Sequence, residues 1–378
     1  MNTILFDLLS AQPVGTIKFH GGGEYIKRVF SRLVMKYYNE IRIIAFFDKD
    51  KFMDQWVRDL ILEYKVEIIN INQLKEILPL FTQYHIDVFY SGLPYEYVAG
   101  ILPEKVYKIA TFHGLRAIEC PTDRFECKYG FNLKKIIKKI LPTAVLVKKN
   151  YKKMQQSIMI FDHIVTVSNH SYYAILKNYK DKIKRITVMY SPQKKADSKF
   201  IPHNGNYILI VSANRWLKNA YRGLCAIEQL YANNLISDIK TVVVGNIPLS
   251  LRRSLKNQGQ YIFKGYVETE ELEQLYAGCR IFLYPTLNEG FGYPPLEAMR
   301  YGKTCVVSAV CSLPEICGDA VYYINPYDIG EISTRILEAI DAPMDYEMVL
   351  QRYEKILQRQ ENDLDNLVEL IAKGKEIR

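Results

Sequence analysis

The sequence predicts an α/β protein built from two doubly wound parallel sheets. Three observations predict it. The chain has 378 residues, past the length at which one core usually divides. Short β-branched runs alternate with helix-length amphipathic segments along most of it, which is βα order. The alternation stops once, at a polar stretch, SPQKKADSKFIPHNGN (191–206), and then restarts. Two such halves leave a cleft between them, and open α/β sheets bind ligands beyond the C-terminal ends of their strands.

In the first half, runs 2–9, 42–47, 66–71, 86–90, 107–112, 163–168 and 185–190 read as strands. They are almost continuously apolar, as strands covered on both faces must be. EYIKRVFSRLVMKYY (24–38) and SYYAILKNY (171–179) read as helices between them. In the second half 207–213, 241–247, 261–267, 281–286 and 304–310 read as strands, and 345–378 as a long charged helix. We therefore expect a first domain over 1–195, a second over 196–345, and a helical tail over 346–378 that packs back toward the first domain.

Composition narrows the class. Hydrophobic residues make up 49% and charged residues 24%, which is globular rather than disordered. The seven cysteines show no CxxC or Cys/His metal spacing, so free thiols in a reducing cytosol are expected. The N-terminus lacks the basic region and small-residue cleavage site of a signal peptide, and no apolar run reaches the ~18 residues of a membrane span. Net charge is +9, and Cys127 to Phe161 holds nine lysines with no Asp or Glu. There LKKIIKKIL (133–141) reads as a basic amphipathic helix, suited to an anionic membrane surface. Nucleic acid is disfavoured, because aromatic interleaving is sparse and no nucleic-acid module appears.

The stretch NEGFGYPPLEAM (288–299) carries the chemistry. It follows the run IFLYPT, and Pro294-Pro295 suits the first turn of a helix. Gly290 and Gly292 let backbone N–H groups approach a ligand. Glu289 and Glu297 offer carboxylates, which accept paired hydroxyl hydrogen bonds. The residues alone also allow an ordinary βα loop in which Glu297 only complements the helix dipole.

A Glu, seven residues and a second Glu, within E-G-F-G-x-P-x-L-E-A-M, resembles the EX7E signature of retaining family 4 (group 1) glycosyltransferases of the GT-B fold. GYVETEELEQLYAGCRIFLYPT and YGKTCVVSAVCSLPEICGDAVYYINPYD resemble the segments around it, and IFDHIVTVSNHSYYAILKNY resembles the end of that family's first domain. The likeness is strong over about 160–345 and weaker before it. The resemblance implies two Rossmann-like domains and no metal or other cofactor. It implies a nucleotide diphosphate sugar as co-substrate, and a hexose passed with retention to a hydroxyl of a glycan or lipid-linked acceptor in surface-polysaccharide synthesis. The enzyme would be cytoplasmic and peripheral to the membrane.

The resemblance also implies roles. Glu289 would contact the donor sugar near its reacting carbon. Glu297 would bind ribose hydroxyls. Gly290, Phe291 and Gly292 would hold sugar hydroxyls through the backbone. Arg215 and Lys218 in VSANRWLKN would clamp the diphosphate, since a leaving anion without metal needs fixed cations. Their spacing is shorter than the family's, so Arg222 is a second candidate for the role of Lys218. Gly22 and Gly23 in FHGGGEYIKRVF match the family's first-domain glycine loop, although Ile26 stands where a dinucleotide fingerprint needs glycine. His113 in ATFHGLR would face the donor sugar. Arg116 and Glu119 would shape the acceptor side.

Other candidates carry less. Asp48-Lys49-Asp50 and Asp363-Leu364-Asp365 fit the D-x-D pattern of metal-binding transferases, but one falls at an expected turn and the other in the helical tail. His20 and His170 receive no role. The same fold would also serve a sugar phosphorylase, a sugar-nucleotide epimerase, or a non-catalytic partner subunit of a transferase.

Overall fold

The computed structural model describes residues 1–13, 20–97, 100–130, 142–193, 200–203 and 205–374. The amphipathic lysine stretch 133–141 lies outside the described residues. The described chain forms two compact units, one of Met1–Leu115, Lys149–Lys195 and Leu357–Arg378, the other of Arg116–Lys148 and Ala196–Ile356. Residues 116–130 and 142–148 thus pack with the second unit, although they precede the division expected near residue 195.

The first unit carries seven parallel strands: β1 (Thr3–Asp7), β2 (Arg42–Phe47), β3 (Glu67–Asn70), β4 (Val88–Ser91), β5 (Tyr107–Phe112), β6 (His163–Thr166) and β7 (Ile186–Val188). Their order is β3-β2-β1-β4-β5-β6-β7. The pairing runs Ile4↔Ile43 on one side of β1 and Ile4↔Val88 on the other. The five residues of β1 are all buried, as its near-continuous apolar run requires. The helix Gly21–Tyr37 follows β1. Its N-cap is His20, whose Nδ1 accepts from the Gly23 N–H at 3.0 Å.

The second unit repeats the plan with six parallel strands: β8 (Tyr207–Ile210), β9 (Lys240–Val244), β10 (Tyr261–Lys264), β11 (Ile281–Tyr284), β12 (Thr304–Ser308) and β13 (Tyr322–Ile324). Their order is β10-β9-β8-β11-β12-β13. Ile208, Ile210, Leu224, Ile227, Leu283, Val306, Ile332 and Ile336 anchor its core, which joins the sheet to the helices Ala220–Ala232 and Ile329–Asp341. The sequence pattern missed β13, a three-residue strand at the edge of the second sheet.

Both sheets are doubly wound, so each has a switch point where the connections diverge: between β1 and β4, and between β8 and β11. The helix Tyr346–Lys373 has 28 residues. Near its start Arg352 Nε donates to the Ile316 carbonyl in the second unit at 2.9 Å. Further along, Leu364, Leu367, Val368 and Ile371 are buried in the first unit. There Asp363 accepts from the Tyr190 N–H at 2.8 Å.

Candidate active site

In the second unit the loops after β8 and β11 meet at the switch point. The first loop carries Arg215 and Lys218, the second Glu289. Lys218 and Glu289 form an ion pair in which both side chains are more than nine-tenths buried. The Tyr284 hydroxyl donates to Glu289 Oε1 at 2.7 Å, and Thr286 Oγ1 donates to the same oxygen at 2.9 Å. Lys218 also donates to the Tyr284 hydroxyl oxygen, at 2.5 Å. All the donors to this carboxylate converge on Oε1. Among the described residues none reaches Oε2, so the carboxylate is pinned by one oxygen and presents the other.

Burial alone would push the Glu289 carboxyl up. The charges of Lys218 and Arg116, with the hydrogen bonds from Lys218 and Tyr284, overcome it and bring the group down to about 2. The Lys218 ammonium is pulled the other way by burial, against the attraction of Glu289, and falls to about 8. Glu289 is therefore an ionised carboxylate at neutral pH, in a place where an unpaired charge would be costly.

The backbone holds this pair under local strain. Ser212 (φ 54°) and Asn219 (φ 56°) are non-glycine residues in the left-handed region, one at each end of the loop after β8. The Asn219 side chain accounts for its own conformation. Its Nδ2 donates to the carbonyls of Pro285 at 2.9 Å and Pro326 at 2.7 Å, while Oδ1 accepts from Arg222 at 2.8 Å. It ties the loops after β8, β11 and β13 together.

After Glu289 the chain makes its glycine turn. Gly292 sits at φ 120°, and a Cβ there would lie 2.7 Å from Leu313 Cδ2. Phe291 is buried, and its carbonyl accepts from Ser312 Oγ at 2.6 Å; the same hydroxyl lies 3.2 Å from the Glu289 carbonyl. Gly290 lies between these two fixed carbonyls. The helix Tyr293–Met299 then places half-buried Glu297 against the buried Tyr276. Burial first, and then the Glu297 charge, push the Tyr276 hydroxyl well above its ordinary range.

Arg215 is exposed beside the pair, and among the described residues its guanidinium has no carboxylate partner. Arg222 does not share the clamp. Its side chain is 1% exposed, and its guanidinium is held by Asp123 at 2.9 and 3.2 Å and stacked on Phe125 at 4.6 Å. A guanidinium locked in a buried pair is not open to phosphate.

Arg116 and Glu119 take a place in this unit that the sequence did not foresee. Glu119 Oε2 accepts from Asn288 Nδ2 at 3.0 Å, one residue from Glu289. Arg116 stands close enough for its charge to be felt by Glu289, Lys218 and Arg215.

The remaining candidates belong to the first unit. His113 follows β5. Its backbone N–H donates to the Tyr95 hydroxyl at 3.0 Å, and its ring packs edge-on against Tyr25 at 4.7 Å. Nε2 lies 3.0 Å from the Gly92 carbonyl. A carbonyl only accepts, so Nε2 carries the proton. Gly22 and Gly23 lie in the first turn of the helix Gly21–Tyr37, where a Cβ on Gly23 would meet the Ala11 carbonyl at 2.7 Å, whereas one on Gly22 would meet only the movable end of the Leu93 side chain, at 2.8 Å. Asp48 turns inward and accepts from the Asp50 N–H at 3.0 Å, which makes Asp48-Lys49-Asp50 a tight turn.

Tyr284, Thr286, Asn288, Asn219 and Ser312 were not singled out by sequence. Only the first two left a trace: they stand two apart in IFLYPT, which puts both on one side of an extended run.

Comparison with known proteins bears on the family and the fold. Residues 192–356 match the model of the family described as glycosyl transferases group 1. Over 83 residues the chain is 47% identical to O-antigen chain mannosyltransferase B of Escherichia coli, covering 22% of each protein. Over 226 residues it is 26% identical to the O-antigen chain mannosyltransferase RfbU of Salmonella typhimurium, covering 58% of this chain and 61% of that one. The chain thus spans less than two thirds of these relatives. The crystal structure of Anabaena HepE in complex with UDP-glucose superimposes with a TM-score of 0.65 over 99% of both chains at 14% identity. That likeness shows the fold, which is the GT-B fold.

Proposed function

From the match of residues 192–356 to the model of the group 1 glycosyl transferases, we infer that this protein is a hexosyltransferase of surface-polysaccharide synthesis, with mannose as the first sugar to test. It takes a nucleotide diphosphate sugar and glycosylates a hydroxyl of a glycan or lipid-linked acceptor. The observation that carries this reading is the pinned carboxylate of Glu289, with exposed Arg215 beside it and without a carboxylate partner among the described residues, at the second switch point.

Each part has a role in such a transfer. Glu289 Oε2 accepts a hydroxyl of the donor sugar. Glu297 accepts ribose hydroxyls. Gly290, Phe291 and Gly292 bring backbone N–H groups to the sugar. Arg215 stabilises the diphosphate as the C1–oxygen bond breaks, and Lys218 holds Glu289 ionised and in place. The reaction retains configuration: the acceptor hydroxyl attacks C1 from the face the diphosphate leaves, and a phosphate oxygen takes its proton. Fixed cations of the chain stabilise the leaving group, so the transfer runs without a metal ion. Exposed Lys148, Lys149, Lys152 and Lys153 lie on one side of the helix Thr143–Ile160, beside half-exposed Val145 and Met159, and meet anionic lipid that bears the acceptor.

The test is donor turnover. Purified protein is incubated with GDP-mannose and with UDP-, dTDP- and ADP-sugars, with and without EDTA, and free nucleoside diphosphate is measured. We expect release from one donor that EDTA leaves unchanged and that Glu289→Gln reduces by about 10²-fold or more, the scale of losing a transition-state contact. Release that EDTA stops would remove the metal-free part of the reading. Release of sugar phosphate only when phosphate is added would make the enzyme a phosphorylase. Binding of a donor without turnover, with acceptor present, would make it a partner subunit.

A further inference from the structure

Lys218 is poorly placed to hold a diphosphate by itself. Its ammonium already serves Glu289 and the Tyr284 hydroxyl, and its side chain is buried. With Lys218 committed, the two loops leave Arg215 as the only cation they offer to a ligand with two or more negative charges. A second free cation has to come from elsewhere in the unit.

The segment 116–130 supplies it. This segment is fastened to the second unit at three points. Asp123 pairs with buried Arg222 at 2.9 Å. The Tyr129 hydroxyl oxygen accepts from the Tyr221 N–H at 2.7 Å. Glu119 Oε2 accepts from Asn288 Nδ2 at 3.0 Å. Glu119 and Arg116 are the two ends of a single helical turn, Arg116–Glu119, and residues three apart share a helix face. The bond to Asn288 therefore turns the Arg116 side chain toward the same loop that carries Glu289. There its Nε is buried without a hydrogen-bond partner, and among the described residues the guanidinium has no carboxylate partner. A buried guanidinium donor left unmatched is costly, and a planar fork of N–H groups fits two phosphate oxygens at once.

We propose that Arg116 is a diphosphate-binding residue of the donor site, held in place by the Glu119–Asn288 bond, and that with Arg215 it supplies the cation pair that a committed Lys218 leaves incomplete. Arg116, Arg215 and Lys218 against Glu289 leave a net charge of two positive, which a diphosphate neutralises. This assigns Arg116 to the donor rather than to the acceptor, and it rests on the transferase reading above. Glu119 is a positioning residue.

The experiment uses the full chain and inorganic pyrophosphate, titrated calorimetrically, so that neither base nor sugar need be known. Arg116→Ala is expected to weaken binding by about 10- to 100-fold, the range for losing a charged hydrogen-bonding partner. Arg116→Lys, which keeps the charge but loses the fork, should recover part of that loss. Glu119→Gln should weaken binding by a smaller factor while leaving the salt dependence intact, because it misplaces the cation without removing it. Thermal unfolding identifies variants that fail to fold; if the alanine variant does, Arg116→Lys alone decides, with weaker binding than wild type supporting the assignment. Wild-type affinity in Arg116→Ala or in Arg116→Lys overturns the role of Arg116 and leaves the transferase reading standing. No pyrophosphate or nucleoside diphosphate binding by the wild-type protein overturns both.

Discussion

The two switch points share a topology and treat a carboxylate in opposite ways. In the first unit, Asp7 at the end of β1 is fully buried. It accepts from the Ser10 N–H at 3.0 Å, from Ser10 Oγ at 2.6 Å, from Ser91 Oγ at 2.7 Å and from the Tyr97 hydroxyl at 3.0 Å. Among the described residues no cation pairs with it. Burial outweighs these neutral donors, and the carboxyl is raised above its ordinary value. In the second unit, Glu289 is just as enclosed but has Lys218, and it is lowered to about 2. The switch-point region thus holds a structural knot in one unit and a charged centre in the other. A buried carboxylate is costly or ionised according to whether the fold brings it a cation.

The largest test of that contrast is Glu289→Ala. It strands the Lys218 ammonium in the interior and should cost about 3–5 kcal/mol in urea unfolding, with activity lost. Replacing both partners, Lys218→Met with Glu289→Leu, should restore most of that stability and none of the activity. A loss below about 1 kcal/mol in the single variant would mean that the pair is solvated rather than buried.

Acid unfolding should separate the two carboxylates next. The folded-state value of Glu289 is depressed, so its contribution is present above about 4.5 and is lost as pH falls toward 2. That of Asp7 is raised, so its contribution is full below 3.8 and is lost as pH rises through its folded-state value. Glu289→Gln and Asp7→Asn should therefore tilt the stability–pH curve in opposite directions. Parallel curves would show that the two sites do not differ in charge state.

The smallest effects compare single hydroxyls. Thr286→Val removes a donor to an ionised carboxylate and should cost about 1.5–3 kcal/mol. Ser91→Ala removes one of several donors to a carboxyl that burial pushes toward its neutral form, and about 1 kcal/mol is expected. Equal costs would blur the distinction between the two sites.

Much of this could be read in the sequence, for identifiable reasons. The strands of both sheets except β13 stand out as β-branched runs, because strands buried on both faces need apolar residues at nearly every position. Glu289, the glycines after it and the prolines that start the next helix lie in one contiguous stretch, so local chemistry announces them. Arg222 and Arg116 do not. VSANRWLKNAYR contains three cations, and nothing in it shows that the third is held by Asp123, 99 positions away. In HGLRAIE, Arg116 follows a first-unit strand, yet its segment packs with the second unit.

The sequence by itself determined the alternation of strands and helices, the two-sheet fold and the loop that carries Glu289, since these follow from periodicity and turn chemistry within a few residues. Only the tertiary structure decided which cations are committed and which remain open. Pairing depends on distances between segments that a linear pattern does not encode, and in a buried site pairing decides whether a charge is silent or ready to meet a ligand.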